Sequence, residues 1–208
     1  MMPSRLDHLV VVAPSLTAGA ALVEQSLVIP PGPGRKHPHM GTHNLLLSLG
    51  PSVYLEVVAV DPNAPPVARP RWFGLDDMPP QAPARLAAWV ASTDDIHALT
   101  SPALGAVEQM EREGLTWQMT STGDGQPPLS GAAPLLIQRA TRFHPASRLP
   151  DVGLRLRCLR IQHPRPDDVA QVLAHVALAD KPAVVLTAGA VCSLVAEIET
   201  PQGVRLLG

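Results

Sequence analysis

Proline and glycine limit this chain more than any other feature. The 208 residues include 24 prolines and 15 glycines. Each proline removes a backbone donor and fixes φ, so prolines spread this densely rule out long helices and leave short elements joined by turns. The two residues together fall short of the share that marks a collagen-like or disordered chain. Hydrophobic residues make up 46% and charged residues 16%, a balance that supports a packed core. The length suits one large domain or two small ones.

Composition also narrows the partners. The formal net charge is −2 and aromatics are 3%. With no dominant basic patch and few rings to stack on bases, nucleic acid is not expected as a partner. Cys158 and Cys192 sit in apolar runs at no zinc-motif spacing and are expected to pack in the core as small hydrophobes. The opening lacks the architecture of a signal peptide, and no stretch approaches the ~18 apolar residues of a spanning helix. A soluble, cytoplasmic protein with no membrane partner is the expectation.

The chain divides into units. Leu6 to Val12 is a β-branched run of strand length. Ser15 offers an N-cap, and Leu16, Ala20, Val23 and Leu27 lay one apolar stripe on a helix. The Pro- and Gly-rich run at 30–34 stops it. Residues 35–42 are expected as a polar loop. Asn44 to Leu49 and Val53 to Val60 read as a hairpin. This first unit spans 1–60. Residues 61–84 are a Pro-rich segment that also holds Trp72 and Phe73, and it is expected to be ordered and to cover something. A second unit, 85–145, opens on a strand at 86–91. A helix carrying Leu104, Val107 and Met110 should follow and end at Gly114, with strands at 115–120 and 135–140 after it. A third, partial unit, 154–208, repeats strand, helix and strands. Recurrence every 70–80 residues or so is an internal repeat.

Two short apolar runs carry chemistry. His8 lies in Leu6-Asp7-His8-Leu9-Val10-Val11-Val12, and Glu56 lies in Val53-Tyr54-Leu55-Glu56-Val57-Val58-Ala59-Val60. A buried imidazole and a buried carboxylate each need a partner, and a divalent metal ion would satisfy both. By alternation His8 shares a face with Leu6, Val10 and Val12, and Glu56 with Tyr54 and Val58. If the two strands are neighbours, both side chains can enter one cavity. His43 is a third candidate, as a ligand or a proton carrier, while Asn44 points to the opposite face and reads as structural. His37 and His39 belong to the exposed loop, and His97, His144, His163 and His175 read as surface residues. Trp72 and Trp89 are expected at the cavity. No nucleophile elbow, phosphate loop or dinucleotide fingerprint appears.

Four runs in this order, Leu6-Asp7-His8-Leu9-Val10-Val11, Gly41-Thr42-His43-Asn44-Leu45, Tyr54-Leu55-Glu56-Val57-Val58-Ala59 and Arg71-Trp72-Phe73-Gly74-Leu75, resemble the glyoxalase-like proteins of the vicinal oxygen chelate superfamily. The likeness is good over residues 5–75, moderate to Thr141 and weak beyond. It implies an α+β fold of repeated βαβββ modules whose curved mixed sheets enclose a cavity. In metal-using members of that superfamily, ligands come from the first and last strands of a module, the places of His8 and Glu56. In the second unit, Ala87 or Ala88 stands at the position of His8, depending on register, and Gln138 at that of Glu56.

The resemblance implies a metal-assisted lyase, isomerase or dioxygenase acting on a small oxygenated metabolite. His8 and Glu56 would hold a divalent metal ion of unspecified identity, with His43 assisting. Tyr54, Trp72, Trp89 and Gln138 would line the cavity. A homodimer also fits the superfamily. The alternative is a small-molecule binding or resistance protein that uses the same cavity without metal. A third possibility is a metal-free catalyst with His8 and Glu56 as an acid–base pair.

Overall fold

The computed structural model describes residues 3–112, 114–141, 144–179 and 182–208. Eight strands form one curled mixed sheet. They are β1 (Arg5–Val12), β2 (Gly32–His37), β3 (Thr42–Ser48), β4 (Tyr54–Val60), β5 (Arg85–Ser92), β6 (Ala106–Arg112), β7 (Leu115–Ser121) and β8 (Leu135–Arg139), in the order β2-β3-β4-β1-β5-β8-β7-β6. The sheet is two like halves. In each, the first strand lies parallel to the last, β1 with β4 and β5 with β8, and the halves join where β1 runs antiparallel to β5. The α+β architecture of βαβββ modules expected from the sequence is present.

Helix α1 (Leu16–Leu27) forms where its stripe predicts, with the Ser15 hydroxyl accepting from the Ala18 N–H at 3.2 Å. It lies close on the sheet because Gly19 has no side chain. A Cβ there would sit 2.3 Å from Val57 Cγ1, so only glycine permits this approach.

Two segments differ from expectation. The loop at 35–42 is partly strand: β2 pairs with β3 as the sheet's edge, where prolines are tolerated. The helix expected before Gly114 is only α2 (Ile96–Leu99) and a 3-10 turn (Pro102–Leu104). Gly105, at φ 87°, then redirects the chain into β6, whose seven residues pair along β7. The ladder with β7 outweighs a helical stripe of three apolar residues.

The third unit has the expected element order: β9 (Arg155–His163), α3 (Pro166–His175), β10 (Ala183–Ala188), β11 (Ser193–Thr200) and β12 (Gly203–Leu207). Its sheet order, β10-β9-β11-β12, differs from that of the first two halves, because its first strand lies between the second and third. Leu159, Ile161, Leu194, Ala196 and Ile198 of this sheet share one core with Leu9, Val11, Leu55, Val57 and Trp89 of the large sheet. The third unit therefore backs the convex face. The concave face has its own cluster, including Val10, Val12, Val58, Phe73, Met119 and Ile137. Among the described residues, no helix is long and apolar enough to cross a membrane.

Candidate active site

The concave face holds a cavity of about 400 Å³, lined by His8, Asn44, Tyr54 and Glu56 from the first half and by Trp117, Ile137 and Arg139 from the second. The Pro-rich segment is ordered and covers it. Trp72 and Phe73 line the cavity. Arg69 reaches Glu108 of β6 at 2.6 Å and His39, just beyond β2, at 2.9 Å. The segment thus spans the two edges of the sheet.

His8 and Glu56 meet in this cavity, His8 Nε2 lying 3.5 Å from Glu56 Oε2, and both residues are buried. Strand β1 carries a bulge at this point. Its pairing with β5 steps from Leu6↔Ala91 to His8↔Val90, so Asp7 is an extra residue. A bulge re-aims side chains. Leu6 joins the convex core with Leu9 rather than sharing the face of His8. Asp7, fully buried, comes to lie against its own neighbour, with His8 Nδ1 2.6 Å from Asp7 Oδ1.

Asp7 is the hub of this corner. Arg139 grips its carboxylate with both terminal guanidinium nitrogens, Nη2 at 2.8 Å from Oδ1. His144 Nε2 lies 3.0 Å from Oδ2. His144 Nδ1 accepts the Ala146 N–H at 3.2 Å, which leaves the proton on Nε2 for Asp7. Burial pushes the Asp7 carboxyl up, but hydrogen bonds from His144, His8 and Arg139 outweigh it and hold it well below the usual carboxylate range. An ionised Asp7 can only accept, so His8 Nδ1 carries a proton and His8 Nε2 is the atom turned to Glu56. Tyr54 stacks on His8 with ring centroids 4.5 Å apart. Burial, and then the Asp7 charge, raise the Tyr54 hydroxyl well above its ordinary value, so it stays neutral.

On the other side of the pair, Asn44 Nδ2 donates to Glu56 Oε1 at 2.6 Å, while its Oδ1 accepts the Arg35 N–H, also at 2.6 Å. Both ends of the amide are held, and so is the carboxylate's orientation. His37 is buried 3.5 Å from the same Asn44 nitrogen and 3.2 Å from Thr42 Oγ1. Burial depresses its pKa to about 4, with partial opposition from the Glu56 charge.

Several candidates sit elsewhere. Register pairs Leu46 with Glu56, so even-numbered residues of β3 face the cavity. Asn44 therefore does, and His43 lies on the other face of the strand. Trp89 is fully buried in the convex core, its indole N–H donating to Ala132 O at 3.3 Å. Gln138 is on the far face of β8 and accepts the Ile96 N–H at 2.8 Å. His39 is exposed beside Arg69, and His163 is buried rather than at the surface. Asp7, His37, Arg139 and His144 gave little sign in the sequence. For Asp7 that sign was a charge inside an apolar strand. For the other three it lay in contacts between residues distant in the chain.

The two halves answer whether a metal centre of the superfamily's kind fits. β5 has a matching bulge, stepping from Val10↔Ala88 to Val11↔Leu86 with Ala87 as the extra residue. Ala87 thus stands for Asp7 and Ala88 for His8. Val90 pairs with Leu135 as Val10 pairs with Glu56, so Leu135, not Gln138, is the counterpart of Glu56. Ala88 and Leu135 have no donor atom in their side chains. Among the described residues no three His, Cys, Asp or Glu side chains converge on one point. His8 and Glu56 provide two donors and the second half none, which does not fit a centre fed by both modules.

A curled mixed sheet of paired βαβββ halves around a cavity is the architecture of a glyoxalase-like fold. Residues 6–177 match a family profile described as glyoxalase-like domain. The chain therefore belongs to that family. No curated protein matches it in sequence. Among solved structures, a hypothetical protein from Staphylococcus aureus shares 14% identity, covering 97% of this chain and 93% of that one, at a TM-score of 0.65. A methylmalonyl-CoA epimerase from Streptomyces coelicolor, in complex with 2-nitronate-propionyl-CoA, shares 12% over 67% of this chain and 100% of that one (TM-score 0.44). A 4-hydroxymandelate synthase mutant from the same organism shares 16% over 98% of this chain and 61% of that one (TM-score 0.47). At these identities the likeness is one of fold.

Proposed function

We propose that the concave cavity is the active site of an acid–base enzyme, an isomerase or lyase, acting on a small oxygenated molecule. One observation carries this reading: His8 Nε2 and Glu56 Oε2 face each other at 3.5 Å on the cavity wall. In this reading the Glu56 carboxylate takes a proton from the carbon beside a carbonyl group, and the C–H electron pair moves onto the carbonyl oxygen. His8, held by Asp7 through Nδ1, works from Nε2, where it gives or receives the second proton. Such a pair is worth roughly 10²–10⁴ in rate. Asp7 touches His8 and Asn44 touches Glu56, while Arg139 and His144 hold Asp7, so all four are positioning residues.

Solvent deuterium incorporation tests this. A panel of 2-oxo acids, 2-hydroxy aldehydes and acyl thioesters in deuterated buffer is followed by proton NMR. The expected result is exchange beside the carbonyl of at least one member, lowered by about 10²-fold or more in Glu56→Gln and in His8→Ala. Binding without exchange anywhere in the panel would favour a non-catalytic binder instead.

A further inference from the structure

We infer that the second half of the large sheet is the recognition end of the cavity, and that it takes an uncharged apolar body, a ring or a hydrocarbon chain, attached to the reacting carbonyl. This names the substrate class of the site proposed above, and it rests on that reading only for which end of the molecule reacts.

The inference begins with register. The antiparallel pairing of β1 with β5 relates the two halves, which sets Ala88 at the place of His8 and, through the parallel pairs, Leu135 at that of Glu56. The correspondence extends outward. Asn44 pairs with Val58, two residues past Glu56, and Met119 pairs with Ile137, two past Leu135. His37 pairs with Thr42, two before Asn44, and Met110 pairs with Trp117, two before Met119. His8, His37, Asn44 and Glu56 therefore have Ala88, Met110, Met119 and Leu135 as their counterparts. Each side chain that titrates or hydrogen-bonds in the first half is matched by an apolar one in the second.

These counterparts belong to the concave side. Ala88, Met119 and Leu135 pack in one cluster with Ile137 and with Phe73 of the covering segment. Met119, Ile137 and Trp117 line the cavity, together with Trp72 and Phe73. The wall thus changes character from one half to the other. The arginines of the lining do not reverse this. Arg139 is engaged by Asp7, and Arg35, Arg112 and Arg148 each have a partner of their own.

A molecule with polar groups at both ends would bury one of them against Met119 and Ile137 without a hydrogen bond, and would lose its hydration there uncompensated. A molecule with an apolar body removes that surface from water instead, while its carbonyl reaches His8 and Glu56. The cavity of about 400 Å³ has room for a body of ring size.

The test uses three uncharged methyl ketones with the full chain: 4-hydroxy-2-butanone, 2-pentanone and 4-phenyl-2-butanone. The first two share one shape and differ by a hydroxyl in place of a methyl group. Binding is read by calorimetry and by NMR of protein isotope-labelled at its methionine methyl groups, the Met119 signal being the one lost in Met119→Leu. Affinity should rise in the order given, with 4-phenyl-2-butanone binding at least about tenfold more tightly than 2-pentanone. It should shift the Met119 signal and leave in place that of Met40, which does not line the cavity. Met119→Asn, which gives the second half the residue of the first, should weaken 4-phenyl-2-butanone by about fivefold or more and leave 4-hydroxy-2-butanone within about twofold. Should that variant fail to fold, the wild-type order of affinities and the Met119 signal decide. Equal affinities, tighter binding of the hydroxyl compound, saturation by 4-phenyl-2-butanone with the Met119 signal unmoved, undiminished binding in folded Met119→Asn, or no binding at millimolar concentration overturns the inference. Glu56→Gln separates the two readings. It should keep the order of affinities although it loses deuterium exchange, whereas exchange in the wild type without that order overturns this inference and leaves the acid–base reading standing.

Discussion

Asp7 and His8 are neighbours in the chain and yet hydrogen-bonded partners, Nδ1 to Oδ1 at 2.6 Å. Regular strand geometry would send them to opposite faces. The bulge in β1 brings them together, and it explains why a charge is tolerated inside an apolar strand.

Replacing that charge has a large expected cost. Asp7→Asn leaves Arg139 in the wall without its counter-charge, and removal of one member of a buried pair costs about 3 kcal/mol. Urea unfolding at pH 7 measures it. The pH dependence has a definite sign. The folded Asp7 pKa is depressed, so its stabilisation is fully present above the unfolded value of about 4 and is lost as pH falls through the folded value. The variant should show a shallower loss of stability below about pH 4 than the wild type does.

His37 titrates in the same direction for a different reason. Burial lowers its pKa to about 4, while the unfolded chain takes up that proton near pH 6.5. Between these values the unfolded state binds the proton and the folded state does not. Stability therefore falls as pH drops from about 7 to 4, by up to about 3 kcal/mol at the lower end. His37→Gln should flatten this slope, and the His37 ring resonances should hold still in NMR spectra recorded between about pH 5.5 and 8.

Trp72 and Trp89 should separate cleanly. Trp89 is fully buried away from the cavity, so Trp89→Ala should cost about 4 kcal/mol and leave the rate of deuterium exchange intact in protein that still folds. Trp72→Ala, at a half-buried cavity position, should cost less stability and lower the exchange rate. Denaturant midpoints and exchange rates together check the pair.

How far the sequence could be read follows from what each signal depends on. β1, α1, β3 and β4 were legible because β-branched runs, a capped stripe and short turns are local. β2 was hidden by its prolines and glycines, which read as loop and are in fact an edge strand. β6 was hidden because Leu104, Val107 and Met110 fit a helical stripe, whereas the partner strand decides. The facing of His8 and Glu56 was open to inference once their two strands were placed side by side. Their supports were not. Asn44 was assigned to the wrong face because parity in β3 is set by pairing with β4, and nothing local to β3 specifies it. Gln138 reads as a cavity residue by analogy with Glu56 and Trp89 as an aromatic on a strand, whereas the register of β5 and β8 turns both away from the cavity. Arg139 and His144 meet Asp7 across more than 130 positions, a contact that only the closed sheet creates.

The central claim is that Glu56 and His8 move a proton without a metal centre fed by both modules. The most direct measurement is the rate of solvent deuterium incorporation into the most responsive panel compound, taken with wild-type protein before and after exhaustive chelation and with Glu56→Gln. The account predicts that chelation leaves the rate unchanged within about twofold and that Glu56→Gln lowers it by about 10²-fold or more. Exchange that disappears on chelation and returns with a divalent ion, or that persists undiminished in Glu56→Gln, would contradict it.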